Sequence, residues 1–160
     1  MTPWKLSIQE LFQRERRYVV PLYQRAYVWN QEEQWEPLWD DVERLAEEQF
    51  NNPGSELNRS HFIGAIVLNN VNSGGSISRS EIIDGQQRLT TLQLLLAAIR
   101  DCAIALQSEH ANRFRKLTIH EDEKAGTIEW FKVWPTNADR DVFRKVLSSG
   151  SPVELVRSLG

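Results

Sequence analysis

The chain has 160 residues, 41% hydrophobic and 26% charged, which suits one domain with a real core and is too short for two independent ones. A net charge of −3 excludes a surface coated in positive charge for nonspecific nucleic-acid binding, yet residues 31–49 hold eight acidic residues and only Arg44, a local −7, so the remainder sums to +4. The single cysteine, Cys102, excludes an internal disulfide or a cysteine-based metal site, and no apolar run approaches the ~20 residues of a membrane span. Met1-Thr2-Pro3-Trp4-Lys5 does not lead into a signal-peptide core, so the expected location is cytoplasmic.

Leu6 to Phe12 carries apolar residues at 6, 8, 11 and 12 behind the capping residue Ser7 and predicts a short helix. Tyr18 to Leu22 predicts a strand. Trp35, Leu38, Trp39, Val42, Leu45 and Ala46 then recur at helical spacing behind a capping box of Asn30 and Glu33, an amphipathic helix with an acidic outer face. Pro37 deep in that helix would lose a hydrogen bond and clash with the preceding turn, so the helix either starts near 36 or bends there. Asn51-Asn52-Pro53-Gly54-Ser55 breaks the chain, and the apolar, β-branched run Phe62 to Asn69 predicts a buried strand. Asn72-Ser73-Gly74-Gly75-Ser76 is turn chemistry before the extended run Ser80 to Ile83, so residues 62–83 predict an antiparallel hairpin.

From Leu89 the apolar positions 92, 95, 96, 99, 103 and 106 follow helical spacing, and Leu94 to Ile99 is apolar nearly all round. This predicts the central buried helix, with Cys102 as a small buried hydrophobe. Residues 108–127 predict loop and a short helix, and Glu129 to Trp134 a strand broken by Pro135-Thr136-Asn137. Val142, Phe143, Val146 and Leu147 give a helix over 139–147. After Pro152, the residues Val153, Leu155, Val156 and Leu159 form a short amphipathic pattern, covered by the core, by another copy, or by sequence beyond it. This mixture of a hairpin, strands and helices predicts an α+β fold.

Chemistry concentrates at the strand-to-helix junction Ile82-Ile83-Asp84-Gly85-Gln86-Gln87-Arg88-Leu89-Thr90-Thr91-Leu92. The first N–H groups of a helix lack internal partners and carry partial positive charge, so anions bind there, and Arg88 one turn in adds a bidentate phosphate donor. The alternative is structural: Asp84 as N-cap with Gln87 three residues on forms a variant capping box, and Gly85 eases the turn. Capping leaves unexplained the pair Gln86-Gln87 before Arg88 on so apolar a helix, which a ligand with phosphates or amide-matching edges would explain. No Walker A loop occurs. Asp84 is the best-placed acid for Mg²⁺ or for orienting a water beside a bound NTP. His61, His110 and His120 lie too far apart for zinc spacing, and no nucleophile with a partnering histidine stands out.

In Val20-Pro21-Leu22-Tyr23-Gln24-Arg25-Ala26-Tyr27-Val28-Trp29 aromatic and polar residues alternate. The aromatic faces can stack on bases while Gln24 and Arg25 meet base edges or phosphates. Equally, Tyr23, Tyr27 and Trp29 can pack the loop onto the core while Arg25 pairs with an acidic residue.

These two blocks, with His61-Phe62-Ile63-Gly64-Ala65-Ile66-Val67 and Trp134-Pro135-Thr136-Asn137-Ala138-Asp139 in the same order, resemble the N-terminal domain of GmrSD-type restriction endonucleases from about residue 6 to 147. The resemblance implies a ParB- and sulfiredoxin-like small mixed sheet with packed helices, in which nucleotide phosphates sit at the motif opening a helix. It implies an NTP site of Asp84, Gly85, Gln86, Gln87 and Arg88, with Tyr23, Gln24 and Arg25 opposite and Thr90 and Thr91 as further contacts. Catalytic roles would fall to Asp84, Gln86, Gln87 and Arg88, with Asp84 holding Mg²⁺ directly or through water. The expected function is an NTP-binding and NTP-hydrolysing regulatory domain of a modification-dependent restriction or phage-defence protein. Residues 1–160 would be that single domain, with a C-terminal nuclease-type domain absent from the chain. The expected partners are NTP, DNA in the full-length protein, a nuclease domain or subunit, and a second copy as a homo-oligomer, with no membrane. The alternative is a non-catalytic DNA-reading or protein-docking module, for which the aromatic and arginine block and the +4 remainder speak.

Overall fold

The computed structural model describes residues 3–53, 61–71, 74 and 77–159, the side chain of Leu159 excepted. The Ser7 side chain accepts the Glu10 N–H while the Glu10 carboxylate accepts the Ser7 N–H, and this reciprocal cap starts α1 (Ile8–Gln13). Strand β1 (Arg16–Val19) follows, two residues earlier than the spacing predicts. Val20 N–H still donates to the Trp134 carbonyl at 2.9 Å, but Pro21 has no N–H to continue the ladder.

Asn30 caps the next helix by accepting the Glu33 N–H, and its own N–H goes to the Gln34 side chain. A π-helical turn over Gln31–Trp35 leads into α2 (Glu36–Asn51). Pro37 therefore sits in the first turn of the α-helix, where its missing N–H costs nothing, and the helix starts near 36. α2 buries no residue fully, and Trp35, Trp39 and Phe50 are exposed, so its apolar stripe is not a core face. Of the breaker cluster after it, Gly54 and Ser55 lie outside the described residues.

The antiparallel hairpin is present as β2 (Val67–Val71) and β3 (Ser78–Asp84), with most of its turn, Asn72, Ser73, Gly75 and Ser76, outside the described residues. The strand expected from Phe62 is corrected to begin at Val67. Gly64 has φ +111°, which no extended run accommodates, and Phe62 is 81% exposed rather than buried. After β3 come α3 (Gln86–Ala105), α4 (Ala111–Thr118), β4 (Val133–Trp134), α5 (Arg140–Ser148) and α6 (Pro152–Leu159). The strand predicted over 129–134 shrinks to two residues because Ile128–Trp130 forms a 3₁₀ turn and Phe131 makes only an isolated bridge to Ile119.

The sheet order is β2-β3-β1-β4, with β1 parallel to both β3 and β4 and β2 antiparallel to β3. This mixed sheet with its helices is an α+β fold. Tyr18, Val20, Ile82 and Val133 join Leu89, Leu92, Leu96 and Ala97 of α3 in the core, together with Phe131, Phe143 and Leu147. α3 is central but not buried all round. Ala98, Cys102 and Ile104 are exposed, correcting the expectation that Cys102 is a core residue; that side of the helix outruns the elements packed on it.

One buried polar cluster ties the helices. The Arg100 guanidinium donates to Asp101, to the Thr118 hydroxyl and to the carbonyls of Leu147 and Ser149, thereby satisfying the end of α5. Among the described residues no helix is long and apolar enough to cross a membrane.

Candidate functional site

The amino end of α3 follows β3 without a linker, because Gly85 takes φ +94° and turns the chain in one residue. A Cβ at this position would lie 3.0 Å from the Ile66 side chain and 3.2 Å from the Ala65 carbonyl, so both the backbone conformation and the space require glycine. Gly85 is itself the N-cap, without a side-chain cap, and Asp84 is the last residue of β3. The alternative capping box of Asp84 and Gln87 does not form, since the left-handed glycine carries the chain past the geometry a carboxylate cap needs.

The two glutamines face inward and hold the 25–28 backbone. Gln86 Nε2 donates to the Arg25 carbonyl at 3.0 Å. Gln87 Nε2 donates to the Ala26 carbonyl at 3.1 Å, and its Oε1 accepts the Val28 N–H at 2.9 Å, so one side chain satisfies two backbone groups of an irregular loop. Gln24 Nε2 anchors the same loop to the Ile83 carbonyl, and the Tyr27 N–H donates to Asp139, whose carboxylate also accepts the Thr136 hydroxyl. Trp35 Nε1–H donates to the Tyr27 hydroxyl, which donates to the Thr91 hydroxyl, which donates to the Gln87 carbonyl; heavy-atom distances are 2.7, 2.6 and 2.9 Å. Such a one-directional chain strengthens each of its members.

Arg88 points the other way. Its guanidinium donates to the Ala65 carbonyl at 2.7 Å and to Asp84 at 3.2 Å, while its Nε is shielded without a partner among the described residues. Gly64 makes room for it, since a Cβ there would lie 3.1 Å from Arg88 Cδ on a backbone already at positive φ. The Arg88 side chain is 27% exposed and that of Asp84 68%, so their pair is a screened surface contact.

The 24–28 loop and Gly64-Ala65 thus meet at the first turn of α3, and Asp139 of the fourth block holds that loop from behind. Of the residues singled out from sequence, Gln24, Gln86, Gln87 and Thr91 hold the 24–28 loop at this helix start, Arg88 and Asp84 pair with each other on its other side, and Gln86, Gln87, Thr90 and Thr91 are buried. Tyr23, at 75% exposure, and Arg25 point outward, and Arg25 has no ion pair among the described residues. Asp139, Trp35 and Ala65 received no role from sequence; the ordered blocks containing Asp139 and Ala65 were their only signal. Among the described residues no group of three or more His, Cys, Asp or Glu is arranged to hold a metal ion.

Beside Arg88 lies a cavity of about 190 Å³ bounded by α2, the 61–63 segment and α3, with Trp29, Asp41, His61, Phe62 and Leu92 among its walls. His61 Nε2 lies 3.3 Å from Asp41 Oδ2. Away from this site, next to the Ile119–Phe131 bridge, His120 is buried and held neutral, its pKa pushed down to about 4 by burial and then by the charge of Lys132.

Residues 8–158 match the family model described as GmrSD restriction endonuclease, N-terminal domain. No curated protein matches the chain.

Proposed function

The chain belongs to the GmrSD restriction endonuclease N-terminal domain family, and from that premise we propose that it is the nucleotide-binding, NTP-hydrolysing regulatory domain of a modification-dependent restriction protein in phage defence. The convergence of the 24–28 loop, Gly64-Ala65 and the Asp84 to Arg88 turn on one helix start carries this reading. The polar side chains gathered there, with Gly85 and Gly64 at positive φ making room around them, cost more than a capped helix would need. DNA and a nuclease domain are its partners in this proposal.

In this reading Arg88 binds phosphate with its planar fork, exchanging a surface ion pair worth at most about 1 kcal/mol for a charge-assisted contact. The helix start adds backbone donors and the positive end of its dipole. Asp84 offers one exposed carboxylate, the donor that Mg²⁺ accepts when phosphate oxygens and waters complete its shell. The ion would supply charge neutralisation at the phosphates. Gln86 and Gln87 have their amides committed to the 25–28 backbone, so they act by holding that loop against the site; orienting a water would require releasing it. Thr91 acts through the hydroxyl relay behind them, and Thr90 packs beneath.

The test is binding of the four NTPs, with phosphate release measured with and without Mg²⁺. Arg88→Ala is expected to lose about 1.5–3 kcal/mol of affinity, roughly 10- to 150-fold. Asp84→Ala is expected to remove the Mg²⁺ dependence of release. Absence of NTP binding by folded wild type sinks the proposal.

Tyr23 and Arg25, outward on the pinned loop, favour a second reading as a DNA-reading module. That reading requires NTP-independent DNA affinity that falls linearly with the logarithm of salt concentration.

A further inference from the structure

We infer that the cavity walled by α2, the 61–63 segment and α3 seats the nucleobase, with Phe62 as a stacking face and Asp41 and His61 as the groups that read the base edge. The inference rests on the nucleotide-binding reading of the neighbouring helix start.

Size is the first ground. At about 190 Å³ the cavity falls short of the roughly 300–1,000 Å³ that whole small-molecule ligands occupy, so it takes a ring and leaves the rest of the molecule outside. Its walls are the second. Leu92 is buried, whereas Phe62 stands 81% exposed at the cavity, uncovered by any described element although it follows an apolar sequence pattern. An aromatic ring held in water beside an apolar hollow is what a planar heterocycle stacks on, and Trp29 lines the same space.

The third ground is polar. Asp41 lies 3.3 Å from His61 Nε2 and accepts from Arg44 at 3.1 Å, so the histidine is oriented and the carboxylate is fixed from two sides. As a surface pair alone this is worth little to the fold. Placed in the cavity wall, the carboxylate accepts ring or exocyclic N–H groups and the imidazole offers Nδ1, a pattern that distinguishes bases by their edges. Arg88 lines the cavity and also belongs to the proposed phosphate end, so one residue joins base to phosphate.

Inorganic triphosphate separates this inference from the reading beneath it. Affinities for it and for the four NTPs are measured on wild type, Phe62→Ala, Asp41→Asn, His61→Ala and Arg88→Ala, with thermal melts to confirm folding. Wild type is expected to prefer at least one NTP over inorganic triphosphate by tenfold or more. Phe62→Ala should weaken NTP about tenfold and leave inorganic triphosphate within twofold. Asp41→Asn and His61→Ala should change the ranking among the four NTPs, whereas Arg88→Ala weakens every ligand. If wild type holds inorganic triphosphate as tightly as every NTP, or if the Phe62 and Asp41 variants leave NTP affinity and ranking unchanged, the base seat is wrong while nucleotide binding stands. If neither ligand binds, both fall.

Discussion

Replacing Gln87 with leucine keeps the side chain's volume in its buried place and removes both bonds to the 25–28 backbone. The Val28 N–H and the Ala26 carbonyl, at 2.9 and 3.1 Å from the amide, lose their partners together. Each intact bond is worth about 0.5–1.5 kcal/mol net, and each orphaned group costs about 1–3 kcal/mol if it stays dry. The loop is only part-buried, so water recovers some of this, and the expected loss is about 2–3 kcal/mol. With a urea slope near 2 kcal/mol/M the unfolding midpoint should fall by about 1–1.5 M. Gln86→Leu, which removes a single bond, should lose about half as much. Gln87→Glu keeps the acceptor for Val28 but turns an oxygen toward the Ala26 carbonyl, and should be at least as damaging as leucine. Hydrogen exchange localises the effect, since protection of the Val28 amide should collapse in Gln87→Leu, which removes its acceptor, and persist better in Gln87→Glu, which keeps it. A midpoint shift under about 0.25 M with that amide still protected would refute the clamp and return Gln87 to direct ligand contact.

Arg100→Ala should cost about 3–5 kcal/mol in urea unfolding, because Asp101 and the Leu147 and Ser149 carbonyls are left buried without their donor. The double change Arg100→Met with Asp101→Leu should recover part of that loss. His120 makes stability depend on pH. Its folded pKa of about 4 lies below the unfolded value of 6.5, so between these the unfolded chain binds more protons and stability falls as pH falls, by up to about 3 kcal/mol. His120→Asn should flatten the unfolding free energy between pH 6.5 and 4; an unchanged slope there would exonerate the histidine.

Most local structure was legible. Ser7 with Glu10 marked α1, Asn30 with Pro37 placed the start of α2 to within a turn, and the spacing of Val142, Phe143, Val146 and Leu147 announced α5. These signals are read within a few residues, where caps and periodicity act. Phe62 and Cys102 were misread because apolar character reports a preference for burial, while burial itself depends on which element arrives to cover the residue. For Asp84 the sequence left two roles open, cap or ligand: a capping pattern shows in sequence, but Gly85 at φ +94° is itself the N-cap and takes the capping role away from the carboxylate.

For the candidate site, the order of the motif blocks determined family membership and that the Asp84 to Arg88 turn opens a long helix. Those properties lie along the chain, in residue types at short spacing. Only the tertiary structure decided what each polar residue does. Gln86 and Gln87 turn inward to a loop about 60 residues earlier in the chain, and Arg88 turns toward Gly64 and Ala65. Tyr27 is tied to Asp139 from more than 100 residues away. A glutamine offers the same donors and acceptor to a ligand as to a backbone, so its partner is settled by which groups the folded sheet and helices bring within 3 Å.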